Sequence, residues 1–213
     1  LQRSRLEVDL MLLCDIGNTT LHFYDGEKDT RVSVKGFDPS SVYETVYYIS
    51  VNEGLDTELN AYENWVDLRQ FIDWSKYYET MGIDRVAACE AIENGVIVDA
   101  GSAVTVDVVK EGRFEGGFIY PGIRSMEQTY ADISPRLEYS FNFELDLDKM
   151  PKNSRDAISY GYLRPLYGEV TRHRGPVIVT GGDGKRFAPL FPGAAVDEHL
   201  IFKGMKKILE NRC

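Results

Sequence analysis

The sequence is poor in cysteine, histidine and positive charge, and each shortage removes a class of explanation. Three cysteines, Cys14, Cys89 and Cys213, are too few and too far apart for a disulfide scaffold. Cys14 and Cys89 lie in apolar contexts, Leu12-Leu13-Cys14 and Val86-Ala87-Ala88-Cys89, where a free thiol behaves as a small hydrophobe. Reduced, structural thiols are therefore expected, and with them a reducing, cytoplasmic compartment. His22, His173 and His199 are dispersed, and no Cys/His spacing suits zinc. Lys and Arg number 24 against 34 Asp and Glu, a formal net charge of −10. That balance argues against a nucleic-acid backbone or an anionic membrane as the main partner, because both are drawn by clustered positive charge. An anionic substrate would have to be gripped locally. No apolar run approaches the roughly 18 residues that a membrane-crossing helix needs.

What is present is ordinary for a globular chain: 43% hydrophobic and 27% charged residues over 213 positions. That length accommodates one compact unit or two half-size lobes. Residues 1–10, LQRSRLEVDL, lack the apolar stretch of a signal peptide and read as the translation of successive restriction sites. On that reading the natural chain starts at Met11, with one lobe over 11–93 and a second over 94–213. Strand-like segments are expected at 11–14, 20–24, 31–34, 47–51, 95–99, 103–109, 113–120 and 177–180. Helices are expected at 56–64, 84–93, 154–172 and 198–211, the third interrupted or kinked by Gly161 and Pro165. Pro121 is expected in the first turn of another helix. Residues 139–152 show no period and read as a loop or flap.

An internal echo is more informative than these assignments. Asp15-Ile16-Gly17-Asn18-Thr19 returns 84 residues later as Asp99-Ala100-Gly101-Ser102-Ala103. In each copy an apolar strand runs into Asp-x-Gly and a small polar residue, then a second β-rich strand, then a turning glycine. Gly17 and Gly101 let the backbone turn tightly, exposing N–H groups and short side chains that can wrap phosphate oxygens. The Asp15 carboxylate could hold Mg²⁺ directly or through water. A single copy would read as a plain hairpin with an Asx-type turn. Two matched copies imply two similar lobes facing one another, a nucleotide-kinase layout.

From Met11 to about Met205 the chain resembles the actin, Hsp70 and acetate and sugar kinase superfamily, and within it the type III pantothenate kinases. Met11–Thr19 is similar to the opening phosphate motif of that family, and Gly82-Ile83-Asp84-Arg85 to its G-x-D-R substrate motif. Asp99–Thr105 resembles the second phosphate motif, and Gly116-Gly117-Phe118-Ile119-Tyr120-Pro121-Gly122 the G-G-x-I-x-P-G turn. Asn153–Ile158 is similar to an N-T-x-x-A-I segment, and Thr180-Gly181-Gly182-Asp183-Gly184 to the late adenosine-side loop. Ser102 and Ser154 stand where the family usually has Thr, which keeps the hydroxyl.

The resemblance implies an α/β chain of two actin-like (ribonuclease H-like) lobes with an active-site cleft between them. It implies ATP-dependent phosphorylation of pantothenate at the start of coenzyme A biosynthesis. Asp84 would be the catalytic base, with Tyr78, Gly82, Ile83, Arg85 and Ser154 as further pantothenate contacts. Tyr77 is the alternative to Tyr78. ATP would be held by Asp15, Ile16, Gly17, Asn18, Thr19, Thr20, Leu21, His22, Ser102, Gly181 and Gly182. Mg²⁺ falls to Asp15 and a monovalent cation, K⁺ or NH₄⁺, to Asp99. Family members are homodimers, and Ser154 would reach pantothenate across the dimer. Bland readings stand beside these: Asp84 or Ser154 as a helix N-cap, Asp99 as a cap of its own turn. The rival functions are another kinase of the superfamily acting on a sugar or acetate, a non-catalytic regulator of the same fold, and a phosphatase.

Overall fold

The computed structural model describes residues 11–211, so the expected cloning remnant at 1–10 and the third cysteine lie outside the described residues. The chain forms two compact units, the second spanning Glu93–Glu198 and the first the remainder on either side.

The first unit is built on a sheet of β1 (Leu12–Ile16), β2 (Thr20–Tyr24), β3 (Asp29–Ser33), β4 (Val46–Ser50) and β5 (Trp65–Asp67), in the order β3-β2-β1-β4-β5. β1, β2 and β3 pair antiparallel, while β4 and β5 join parallel to β1. β4 is buried along its whole length, as a parallel strand covered on both faces must be. One face packs Leu13, Tyr47 and Ile49 against α2 (Ile83–Glu90) and α6 (Leu200–Glu210). The other packs Ile16, Phe23 and Tyr48 around Trp65, with Leu55 and Leu59 from α1 (Glu53–Leu59).

The second unit repeats this order. β6 (Gly95–Ala100), β7 (Ala103–Lys110) and β8 (Arg113–Pro121) are antiparallel, and β9 (Val177–Thr180) and β10 (Ala195–Val196) add parallel to β6. The sheet reads β10-β9-β6-β7-β8. Its core face carries Val96, Val98, Ala100, Val104, Val106 and Val179, packed with Ile158, Leu163, Leu166 and Val170 of α4 (Ser154–Thr171). Two five-stranded sheets of identical connectivity match the two similar lobes that the repeated Asp-x-Gly motif implied and the ribonuclease H-like type that the resemblance implied. α3 (Ile123–Ile133) and α4 lie between β8 and β9, and the short α5 (Gly184–Phe187) follows β9.

Several expectations are corrected. The expected lobes were 11–93 and 94–213; by its contacts the chain divides at Ile92 and Glu93, and from His199 it belongs to the first unit. Phe202, Met205, Ile208 and Leu209 of α6 enter the Leu13–Ile49 core, and Gly204 lies against the backbone of Ala87. α4 runs unbroken through Pro165, because its buried stripe of Ile158, Tyr162, Leu163, Leu166 and Val170 outweighs the one hydrogen bond a proline removes. Pro121 ends β8 and Gly122 caps α3. α1 starts earlier than expected because the Asn52 side chain accepts from the Leu55 N–H at 3.0 Å.

Candidate active site

Each unit ends its first strand in an Asp-x-Gly turn. In the first, the Gly17 N–H donates to the Thr20 carbonyl at 2.9 Å, leaving Asn18 and Thr19 exposed at the tip. Asp15 is half-buried within β1, opposite His22. The turn is braced from behind. The Val51 N–H donates to the Ile16 carbonyl at 3.0 Å, and Asn52 Nδ2 to the Asn18 carbonyl at 3.3 Å. Asn52 thus caps α1 with its oxygen and steadies the turn with its nitrogen, a positioning role that motif reading missed. The signal was the cap itself, an Asn standing just before Glu53.

In the second unit the Gly101 N–H donates to the Ala103 carbonyl at 2.9 Å and Ser102 is exposed. Ile16 pairs with Leu21 but Ala100 with Val104, so this turn is one residue shorter than its counterpart. Two glycines allow other segments to close on it. Gly181 has φ +84°, and a Cβ there would come 2.5 Å from the Ala100 carbonyl oxygen and clash with Asp99 Oδ1. The Asp183 N–H donates to that same carbonyl at 2.9 Å. Gly122 donates its N–H to the Ser102 carbonyl at 3.2 Å, and a Cβ on it would stand 2.6 Å from the Gly101 carbonyl oxygen. Asp99, Ser102, Gly181 and Gly182 are therefore neighbours within one unit.

Asp99 lies in register between Thr105 of β7 and Thr180 of β9, so the three side chains share one face. The Thr105 hydroxyl is buried without a hydrogen-bond partner. An orphaned oxygen beside a carboxylate is a feature that a bound cation or water would explain. Among the described residues no cluster of three or more His, Cys, Asp or Glu side chains could hold a metal ion.

The third element is the start of α2. Gly82 caps it and offers no side chain, and a Cβ there would come 2.5 Å from Asp84 Oδ1. That oxygen accepts from the Arg85 N–H at 2.8 Å. Asp84 is half-buried in the first turn, where the helix dipole favours negative charge, yet the cap belongs to Gly82. Arg85 is buried, 5% exposed, and its Nη1 donates to the Tyr78 hydroxyl while its guanidinium lies 5.8 Å from that ring. Tyr78 itself is 44% exposed. Tyr77 instead donates its hydroxyl to Glu90 at 2.8 Å, and burial, with the Glu90 charge next, pushes its phenol far up. At the head of α4 the cap is Asn153, whose side chain accepts from the Asp156 N–H at 2.9 Å. Ser154 is exposed and has no capping duty, which removes the bland reading of that residue.

A profile of the family described as type III pantothenate kinase matches residues 71–174, which include the start of α2, the second turn and the head of α4. A type III pantothenate kinase of Sulfurimonas denitrificans is 58% identical over 200 residues, covering 94% of this chain and 98% of that protein. The chain belongs to the type III pantothenate kinase family. It is a kinase acting on pantothenate, in coenzyme A biosynthesis. A type III pantothenate kinase of Campylobacter jejuni is 41% identical over 94% of this chain and 97% of its own length. A crystal structure from Campylobacter jejuni, described as a Baf family transcriptional activator, superposes with a TM-score of 0.83 at 40% identity. It covers 93% of this chain and 97% of its own. Kinase membership implies ATP as the phosphoryl donor. Among the described residues no helix is long and apolar enough to cross a membrane.

Proposed function

We propose that the chain moves the γ-phosphoryl group of ATP to the terminal hydroxyl of pantothenate, with the Asp84 carboxylate accepting the hydroxyl proton. The observation that carries this reading is the start of α2. A side-chain-less cap leaves the Asp84 carboxylate at the helix end, tied by one oxygen to the Arg85 N–H. The other oxygen is the one to meet a hydroxyl. The transfer asks little more of the protein than aim, charge compensation and one proton acceptor. The Arg85–Tyr78 pair supports Tyr78 over Tyr77 as the pantothenate contact, because the Tyr77 hydroxyl is committed to Glu90. Arg85 then acts from beneath Tyr78 on the substrate carboxylate. Gly82 and Ile83 set the entry to the helix, and exposed Ser154 is the second polar contact.

Both Asp-x-Gly turns serve the polyphosphate. Backbone and side chains from Asp15 to His22 are assigned to it in the first unit, and Ser102, Gly181 and Gly182 in the second. Asp15 holds Mg²⁺, directly or through water, and the ion supplies charge compensation at the phosphate oxygens. Asp99 holds K⁺ or NH₄⁺. One carboxylate with neutral hydroxyls suits a single positive charge, and the orphaned Thr105 oxygen supports that fit. The working unit is a homodimer in the cytoplasm. A regulatory role is favoured by the description of the Campylobacter jejuni structure alone, and the formal charge of −10 weighs against nucleic acid.

The test is steady-state turnover with pantothenate, acetate and glucose as acceptors for wild type and Asp84→Asn. Asparagine keeps an oxygen for the Arg85 N–H, so α2 should survive. Wild type is expected to use pantothenate alone. The variant should lose at least about 10²-fold in kcat with an unchanged circular dichroism spectrum. A folded variant of near-normal kcat removes Asp84 from the role of base.

A further inference from the structure

At the end of the second sheet remote from its Asp-x-Gly turn lies a cavity of about 760 Å³ that none of the assigned roles uses. Its origin is local. Between Val108 and Val109 the β7–β8 register slips: Val108 faces Gly116 but Val109 faces Phe114, leaving Glu115 as the extra residue of a β-bulge. On the face of β8 that carries Phe118 and Tyr120, the next place belongs to Gly116. Its φ is +147° and a Cβ there would meet nothing within 4 Å. The bulge and the missing side chain open a space bounded by Glu169 in the last turn of α4 and the residues just beyond it.

The lining is amphipathic. Val108, Val109 and Phe118 supply an apolar floor, while Lys110, Arg172 and Arg174 bring positive charge against Glu115 and Glu169. Glu169 is already engaged by Arg172 at 2.7 Å and His173 at 3.6 Å. Among the described residues Lys110 and Arg174 have no acidic partner within ion-pair distance. In a chain of net charge −10, two such cations on the rim of an apolar hollow mark a place for an anion with a hydrocarbon body. The volume falls within the range of small-molecule sites, about 300–1,000 Å³. We propose that this cavity is a binding site for small amphipathic organic anions, carboxylates or phosphate monoesters, separate from the reaction centre. β7 spans eight residues from the turn to the cavity, which separates the two by about 20 Å.

Isothermal titration of the full-length chain with hexanoate, hexyl phosphate, hexan-1-ol and inorganic phosphate tests this. Hexanoate or hexyl phosphate should bind saturably to one site, and the stronger of the two identifies the head group. Hexanol and inorganic phosphate, each carrying half the chemistry, should bind at least about tenfold more weakly than the stronger of them. The double variant Lys110→Glu, Arg174→Glu should weaken that ligand at least about tenfold, and Val108→Phe, which fills the floor, should do likewise. Both should keep wild-type melting temperature and pantothenate turnover. Saturating ATP and pantothenate should leave the binding in place. Absence of saturable binding by either anion, equal binding by the folded variants, or displacement by ATP or pantothenate would each overturn the proposal.

Discussion

Adjacent tyrosines, Tyr77 and Tyr78, have opposite jobs, and the difference lies in what each hydroxyl touches. Tyr77→Phe strips a hydrogen bond from Glu90, which then keeps Lys76 at 3.3 Å, so thermal stability should fall while the pantothenate KM stays put. Tyr78→Phe keeps the ring but takes away the hydroxyl that accepts from Arg85 Nη1, so the pantothenate KM should rise several-fold with little change in kcat. Equal KM values for the two variants would contradict the assignment. A second pair separates in the same way. Asn153→Ala removes the cap of α4 and should cost about 1 kcal/mol in urea unfolding. Ser154→Ala should leave unfolding alone and raise the pantothenate KM. The sequence could not choose between Tyr77 and Tyr78, because the choice rests on Glu90 and Arg85 coming from the next helix. It also left open whether Ser154 was a cap, a question decided by one residue of phase.

At the scale of elements, close backbone approaches fix the positions of the site-bearing segments. A Cβ on Gly181 would clash with Asp99, and φ +84° adds strain, so Gly181→Ala should disturb the second turn and lower both stability and ATP use. Gly204→Ala would force α6 away from the backbone of Ala87 and should destabilise by about 1–3 kcal/mol, with activity falling only as folded protein is lost. Chemical denaturation beside kinetics distinguishes the two. The strands that carry the Asp-x-Gly turns were legible because each is an apolar run closed by a turn signal. β5 and β10 escaped because three and two residues carry no period, and parallel neighbours alone define them. The return of α6 to the first unit was also hidden. Its apolar face is plain in the sequence, but nothing local says which sheet it covers.

For the whole molecule, protonation sets a window of stability. Burial, the largest influence on His22, lowers its pKa from 6.5, so the unfolded chain takes up that proton first and stability drops as pH falls below about 6.5. Asp29 acts in the same sense. Burial alone would raise it, but hydrogen bonds from His199 and His22 outweigh that and hold it below 3.8, so its contribution is lost at still lower pH. At the alkaline end burial raises the Cys14 thiol above 9.0 and the Tyr48 phenol to about 12, so stability falls as pH rises past about 9. A melting temperature flat between about pH 6.5 and 9 and declining on both sides is expected from differential scanning fluorimetry. A plateau reaching unchanged to pH 5 would remove the histidine from that account. The most direct test of the catalytic reading is ADP release from Mg-ATP and pantothenate, measured once in K⁺ and once in Na⁺. The account predicts release that requires pantothenate and runs faster in K⁺. Folded protein that releases no ADP with pantothenate in either salt would contradict it.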